Sequence, residues 1–201
     1  MGFTREQLLA YSDTTVPDLI GPGCRMLLCG INPGLWTAAT GAHFAHPGNR
    51  FYPALYGAGI VDHVIDATDG MTFADRNALV EAGIGITNVA PRATAKASEL
   101  TAEELRAGGD ALVERVLQVA PRILAVLGIT AYRTAFREPK AVPGPQERTI
   151  GTTRVWVLPN PSGLNAHETV ASLAAAYRRA AAAAGVTLLP APGRPPAPAL
   201  E

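Results

Sequence analysis

The chain has 201 residues, of which 48% are hydrophobic, so it can bury one substantial core and is expected to form a single domain. Lysine plus arginine equals aspartate plus glutamate at 17 each, which excludes an overall basic surface and leaves nucleic acid only a local patch to bind. No uninterrupted apolar stretch is long enough to span a membrane, and no signal-peptide pattern opens the chain. We therefore expect a soluble, cytoplasmic protein without a membrane partner.

Apolar runs of strand length alternate along the chain with amphipathic stretches of helical length. Glycine, proline or asparagine bounds most of the apolar runs, which is typical of buried strands joined by helices. The predicted strands are residues 25–29, 85–89, 121–128 and 154–159. The predicted helices are residues 50–56, 72–82, 101–117, 130–136 and 166–184. Residues 137–148, which are rich in proline, glycine and charge, are predicted to form a loop.

This alternation predicts an α/β fold of three layers, with helices on both faces of a mostly parallel sheet of about four strands. We place one domain at residues 1–186, in which residues 1–23 form an N-terminal covering segment. Residues 187–201 are too rich in proline and alanine to pack, so they are predicted to be a disordered tail. We expect a monomer.

Two Asn-Pro dipeptides stand where predicted strands end. Asn32 follows the first strand in Gly-Ile-Asn-Pro-Gly, and Asn160 follows the last strand in Leu-Pro-Asn-Pro-Ser-Gly. The carboxyl ends of parallel strands meet at one edge of a sheet, where α/β proteins bind ligands. An asparagine beside proline and glycine can also be a turn residue alone. Because two such turns converge on one edge, we predict that they form one binding site.

The motifs that the chain lacks narrow its chemistry. It has no glycine-rich dinucleotide motif, no phosphate-binding P-loop and no Gly-x-Ser-x-Gly nucleophile turn. His43 and His46 could belong to a metal site, but no third ligand is spaced for one, so we expect a histidine that stabilises the loop and no metal or cofactor. Two amides and the ring of Phe44 suit a planar base, because amides pair with its polar edge and an aromatic face stacks on it.

Several segments of the chain resemble the mismatch-specific uracil-DNA glycosylases, the family that includes thymine-DNA glycosylase. They are GINPG, FAHPGNRF, GITNVAPRAT, LTAEELRAGG and WVLPNPSGL, in this order and with family-like spacing over residues 24–180. The resemblance implies the uracil-DNA glycosylase fold and a monofunctional enzyme without a cofactor. Such an enzyme binds double-stranded DNA that contains uracil or a mismatch, with preference for G·U mispairs. It flips the base out and hydrolyses the N-glycosidic bond, which initiates base excision repair.

The resemblance also implies roles for individual residues. Asn32 takes the place of the catalytic residue, which positions the attacking water. Phe44 takes the place of the ring that stacks on the flipped base, and Asn160 that of the group that binds its polar edge. The base-binding residues implied are Ile31, Thr37, Phe44 and Asn160. The residues implied to enter the duplex are Ser162, Gly163, Leu164 and Asn165, with Leu164 as the wedge that fills the vacated stack.

Two positions bear on specificity. Thr37 takes the family position near C5 of the flipped pyrimidine, so its stiff, β-branched side chain is expected to disfavour thymine. Alternatively, Thr37 only caps or braces the loop and Trp36 shapes the pocket. Ala166 stands where some relatives carry an arginine that contacts the orphaned guanine, and His167 or Asn165 could replace that arginine.

Neither Asn-Pro motif supplies a carboxylate, whereas glycoside hydrolysis usually uses two. A neutral amide orients water but is a poor base, so we expect a slow enzyme that favours bases which leave well and unstack easily. One alternative is a catalytically silent α/β module that binds damaged DNA or a nucleotide. Another is an unrelated hydrolase of small molecules, for which no nucleophile–base pair is visible.

Overall fold

The computed structural model describes residues 2–190, which form five strands and seven α-helices. The strands are β1 (Met26–Gly30), β2 (Ile84–Asn88), β3 (Ile123–Leu127), β4 (Gly144–Ile150) and β5 (Thr153–Leu158). The helices are α1 (Arg5–Leu9), α2 (Leu35–Thr40), α3 (Phe51–Gly57), α4 (Phe73–Glu81), α5 (Ala102–Val119), α6 (Ile129–Ala135) and α7 (Val170–Ala184). A short 3₁₀ helix covers Ala97–Glu99.

The five strands form one sheet in the order β2-β1-β3-β5-β4. β2, β1, β3 and β5 run parallel to one another, and β4 pairs antiparallel with β5 at the edge of the sheet. Helices pack on both faces, so the predicted three-layer α/β fold is confirmed. The sheet has one strand more than predicted, because most of β4 lies in residues 137–148, which are predicted as a loop. Only Ile150 of its seven residues is buried, and an exposed, polar edge strand has no apolar pattern to reveal it.

The sheet separates two apolar clusters, because neighbouring residues of β1 point to opposite faces. Met26 and Leu28 pack with α3, α4 and α7, whereas Leu27 and Cys29 pack with α5 and α6. All residues of β1 and β3 are buried, as expected for parallel strands that are covered on both sides. Within residues 2–190, no helix is both long and apolar enough to cross a membrane.

The last helix begins later than the sequence predicts. α7 starts at Val170, and its N-cap is Thr169, whose side chain accepts a hydrogen bond from the Ser172 N–H. Residues 160–168, called here the 160–168 loop, remain outside the helix. Asn165 and Glu168 have the spacing of a capping box for a helix that begins at residue 166, but this box does not form, because the Asn165 side chain is bonded within the loop.

Both ends of the described chain pack on the sheet and its helices. Leu19 of the N-terminal segment forms an antiparallel bridge with Ile86 of β2. At the other end, the Leu189 N–H donates to the Gly59 carbonyl at 2.8 Å. The packed chain therefore extends beyond residue 186, the last residue of the predicted domain. Residues 191–201 of the predicted tail lie outside the described residues.

Candidate active site

The carboxyl ends of the parallel strands open into a cavity of about 750 Å³. Asn32, in the turn after β1, and Asn160, in the loop after β5, both line it. The two turns converge because only β3 separates β1 from β5 in the sheet. Among residues 2–190, no aspartate, glutamate or lysine lines this cavity. Its polar groups therefore include amides, histidines and the guanidinium of Arg5, but no carboxylate of the described residues.

The amide of Asn32 has one orientation that its neighbours permit. Its Nδ2 lies 2.9 Å from the carbonyl oxygen of Arg92, 3.1 Å from that of Pro33 and 2.7 Å from Thr94 Oγ1. Carbonyl oxygens only accept, and the Thr94 hydroxyl donates to the Lys96 carbonyl, so the group facing all three must be the NH₂. Asn32 therefore presents its Oδ1, a hydrogen-bond acceptor, to the cavity.

The amide of Asn160 is held in the opposite sense. Its Oδ1 accepts a hydrogen bond from the Ser162 N–H at 2.9 Å, and a backbone N–H can only donate. The oxygen is therefore engaged inside the 160–168 loop, and Nδ2 remains as the free end. This NH₂ group lies beside Gly128, at the end of β3. Asn32 thus offers an acceptor and Asn160 a donor on two walls of the same cavity.

Phe44 forms an aromatic wall of the cavity and is held in a strained conformation. Its φ of 56° lies in the left-handed region, which is rare for an aromatic residue. The ring stacks on Phe51 with the centroids 3.9 Å apart and the planes 21° from parallel. The neighbouring carbonyl of His43 accepts a hydrogen bond from the buried Tyr52 hydroxyl at 2.7 Å, which fixes the loop. The ring is therefore placed before any ligand binds.

His43 is a structural residue of this loop. Its Nε2 donates to the Pro17 carbonyl at 2.9 Å, which leaves Nδ1 to accept from Asn88 Nδ2 at 3.3 Å. Burial lowers the pKa of His43, which favours this neutral form. Both ring nitrogens are engaged, so His43 cannot join His46 in a metal site. The described residues contain no group of three or more potential metal ligands.

Ile31 and Thr37 also line the cavity. Thr37 lies on α2, a short helix that is not among the helices predicted from the sequence. It is 5% exposed, and its hydroxyl makes no hydrogen bond to another described residue, so it does not brace the loop in that way. Trp36, in contrast, donates its indole N–H to the Thr68 carbonyl at 2.8 Å. The Thr37 side chain is thus free to face a ligand.

The 160–168 loop projects an apolar tip. Leu164 is 92% exposed, and its N–H is held by Ser162 Oγ at 3.3 Å. Gly163 passes so close to Gly48 that a Cβ atom on it would lie 2.5 Å from the Gly48 carbonyl oxygen. Asn165, to which the resemblance assigns DNA contact, is half-buried. Its Nδ2 donates to the Asn160 carbonyl, and its Oδ1 accepts from a backbone N–H of the loop, so its side chain also braces the loop.

Known proteins share both the sequence pattern and the fold. A model of the uracil DNA glycosylase superfamily matches residues 17–182. The chain belongs to this superfamily. A similar solved structure is the solution NMR structure of a candidate uracil DNA glycosylase from Methanosarcina acetivorans. It has 18% sequence identity and a TM-score of 0.57, and the match covers 83% of this chain and 97% of that chain. At this identity, the likeness shows the shared fold.

Membership of the uracil DNA glycosylase superfamily supports DNA glycosylase activity in general. Two walls of the cavity lie outside the residues that the sequence patterns indicate. Asn88, at the end of β2, is buried and lies against Gly30, where a Cβ atom would come within 2.5 Å of its Oδ1. Its signal was present, because Asn88 is a polar residue at the end of an apolar strand, as Asn32 is. The second wall is α1, which contributes Arg5 and Leu8. No local pattern indicates that a covering helix reaches the mouth of the glycosylase cavity.

Proposed function

We propose that the protein is a monofunctional glycosylase that removes uracil from double-stranded DNA, with preference for G·U mispairs. This places it with the mismatch-specific uracil-DNA glycosylases, which the motifs of the sequence resemble. The observation that carries the proposal is the opposite orientation of two amides in one cavity. Asn32 presents an acceptor, which suits a water molecule, and Asn160 presents a donor, which suits a carbonyl oxygen of uracil.

The attacking water would bind to Asn32. It donates one hydrogen bond to Oδ1, while the three acceptors around Nδ2 keep the amide from turning. The water oxygen attacks C1′ of the deoxyribose, and the C1′–N1 electron pair departs with uracil. The proton that water loses passes to solvent or to the released base. Because an amide is a poor base, positioning is the main contribution of Asn32.

The departing base would be stabilised by Asn160 and Phe44. Negative charge develops on the carbonyl oxygens of uracil as the bond breaks, and the Asn160 NH₂ group can donate to one of them. Phe44 supplies a face for stacking, held from behind by Phe51. Among residues 2–190, no lysine amine lines the cavity to form a covalent intermediate with the sugar, which supports hydrolysis without strand cleavage.

The preference for a mispair follows from the same chemistry. Flipping a base costs a few kcal/mol in a matched duplex and less in a mispair. An enzyme that activates water weakly gains most from substrates that open easily. Leu164 would fill the space that the base vacates. Asn165 is engaged within the loop, so the exposed His167 is the better candidate to contact the orphaned guanine.

A strand-cleavage assay tests the proposal. End-labelled duplexes with U·G, U·A or T·G, and the single-stranded uracil oligonucleotide, are incubated with excess protein and then treated with alkali. We expect alkali-dependent cleavage in the order U·G, U·A, T·G. Tight binding to U·G DNA with no cleavage would contradict the proposal and favour the silent DNA-binding module. A U·A rate equal to the U·G rate would remove the mismatch preference.

Leu164→Ala is expected to lower activity more on U·A than on U·G, because a matched pair costs more to open. We expect a loss of about tenfold on U·A, which corresponds to about 1.4 kcal/mol of transition-state stabilisation. Single-turnover rates on both duplexes measure it. Leu117→Ala, at an exposed leucine of α5 outside the cavity, is the matched control and should leave both rates unchanged. Equal losses on the two substrates would show that Leu164 is not a wedge.

Thr37→Ala is expected to raise the T·G rate relative to the U·G rate by about tenfold, because relief of a methyl-sized clash is worth about 1 to 3 kcal/mol. The ratio of single-turnover rates on the two duplexes measures the effect. Thr40→Ala is the control, since Thr40 lies on the same helix but outside the cavity and bonds to the Trp36 carbonyl. An unchanged ratio in a variant that still processes uracil would remove Thr37 from the specificity site.

A further inference from the structure

We infer that Arg50 is a positioning residue, which holds the 160–168 loop in the shape that base recognition and insertion need; this inference rests on the proposed function. The Arg50 N–H donates to the Pro161 carbonyl at 3.0 Å. The guanidinium Nη2 donates to the carbonyls of Ser162 at 2.5 Å and Asn165 at 2.7 Å, and Nη1 donates to that of Glu168. One residue before α3 thus binds four carbonyl groups of a single loop.

The guanidinium suits this task better than other side chains. Its planar fork can reach three carbonyl groups at fixed angles, which the single ammonium of lysine cannot match. Arg50 has no carboxylate partner among residues 2–190, and its buried Nε has no hydrogen-bond partner there. The guanidinium therefore forms its hydrogen bonds with carbonyl groups of the loop. A carboxylate partner would have competed with those carbonyls.

Ser162 transmits the effect to the site. The Ser162 carbonyl accepts a hydrogen bond from Arg50. The Ser162 N–H donates to Asn160 Oδ1, and the Ser162 Oγ accepts from the Leu164 N–H. The orientation of the Asn160 NH₂ group and the position of the Leu164 tip therefore both depend on where Ser162 is held. The carbonyls of the loop turn inward to Arg50, and the apolar tip turns to solvent.

The neighbouring helices do not need the Arg50 side chain. The first N–H of α3, that of Phe51, is capped by Asn49 Oδ1 at 2.9 Å. α7 has its own cap in Thr169. Within residues 2–190, the Arg50 side chain donates hydrogen bonds to the 160–168 loop alone. Its loss is thus expected to change the loop more than the rest of the domain.

The test measures the single-turnover rates of uracil release by the variants Arg50→Lys and Arg50→Met. The substrates are U·A duplex, U·G duplex and single-stranded uracil DNA. We expect a loss of about tenfold or more on U·A, since a small displacement of a positioned group can cost that much. The loss should be smaller on U·G and smallest on single-stranded DNA, which needs no wedge. The double variant Arg50→Met with Leu164→Ala should lose less than the product of the two single losses, because both act through one loop.

Arg178→Met is the matched control. Its guanidinium also donates to backbone carbonyls, those of Ala58 and Leu189, but at a site away from the cavity. This variant should change thermal stability without altering the ratios among the three substrates. Equal fractional losses of Arg50→Lys on all three substrates would overturn the inference, because they would indicate a structural role alone.

Hydrogen exchange of the backbone amides separates this inference from the proposed function. Arg50→Lys should raise the exchange rate of residues 162–168 and leave that of β1 and β3 unchanged, whereas Arg178→Met should not affect residues 162–168. If the unmodified protein releases no uracil, the proposed function fails, and the exchange result still decides whether Arg50 holds the loop. Unchanged exchange of residues 162–168 in Arg50→Lys would overturn the inference.

Discussion

Asn32→Ala is expected to lower the single-turnover rate of uracil release from a U·G duplex by about a hundredfold or more. The amide has three hydrogen bonds that fix its Nδ2 and none that engages its Oδ1 within the described residues, so the oxygen is preorganised for a water molecule. Alanine removes this acceptor. Binding of the U·G duplex, measured by fluorescence anisotropy, should change little because Asn32 places the water and does not hold the DNA.

Thr94→Val provides an intermediate variant for the same test. It keeps Asn32 but removes one acceptor from its Nδ2, so the amide is less firmly oriented. We expect a single-turnover rate of uracil release that lies between the rates of the parent and of Asn32→Ala. If Asn32→Ala retained activity within about threefold of the parent, Asn32 would not stabilise the transition state.

Asn160→Asp is expected to lower the rate of uracil release by a similar factor, about a hundredfold, because it replaces the hydrogen-bond donor Nδ2 by an acceptor oxygen. The aspartate can still accept the Ser162 N–H, so the loop should keep its shape. Its second oxygen then replaces the NH₂ group, and a carboxylate there would repel the charge that develops on the departing base. Single-turnover rates on U·G at neutral pH measure the loss.

The pH dependence of Asn160→Asp supplies the control. A protonated carboxyl group can donate a hydrogen bond, so part of the lost activity should return as pH falls through the pKa of the introduced aspartate. Asn160→Ala, which lacks any donor, should show no such recovery. Full activity of Asn160→Asp at neutral pH would contradict the assignment of Asn160 as a donor to the base.

The central part of the fold was predictable because it rests on short-range patterns. β1, β2, β3 and β5 are apolar runs that end at turn residues, and the helices between them indicate that these strands run parallel. The two Asn-Pro turns could be placed at one edge for the same reason. Thr72 and Thr101 lie three residues before Asp75 and Glu104, which is the spacing of a capping box, and they cap α4 and α5.

The remaining features depend on contacts between distant parts of the chain. β4 is a strand because it pairs with β5, since its exposed residues have little strand pattern of their own. The Arg50 side chain and its carbonyl partners lie 112 to 118 residues apart, and nothing in their local sequence indicates that they meet. The orientation of each asparagine amide also follows from neighbours on other loops, as with Arg92 and Thr94 around Asn32.

Intact-mass spectrometry of a U·G duplex after incubation with the protein tests most directly whether this cavity hydrolyses an N-glycosidic bond. We predict that the uracil strand loses uracil and gains one water, that free uracil appears in equal amount, and that Asn32→Ala slows both changes by about a hundredfold or more. The strand should remain unbroken, and borohydride should trap no covalent complex. An unchanged strand mass with the parent protein, or a strand broken before alkali treatment, would contradict hydrolysis by a positioned water.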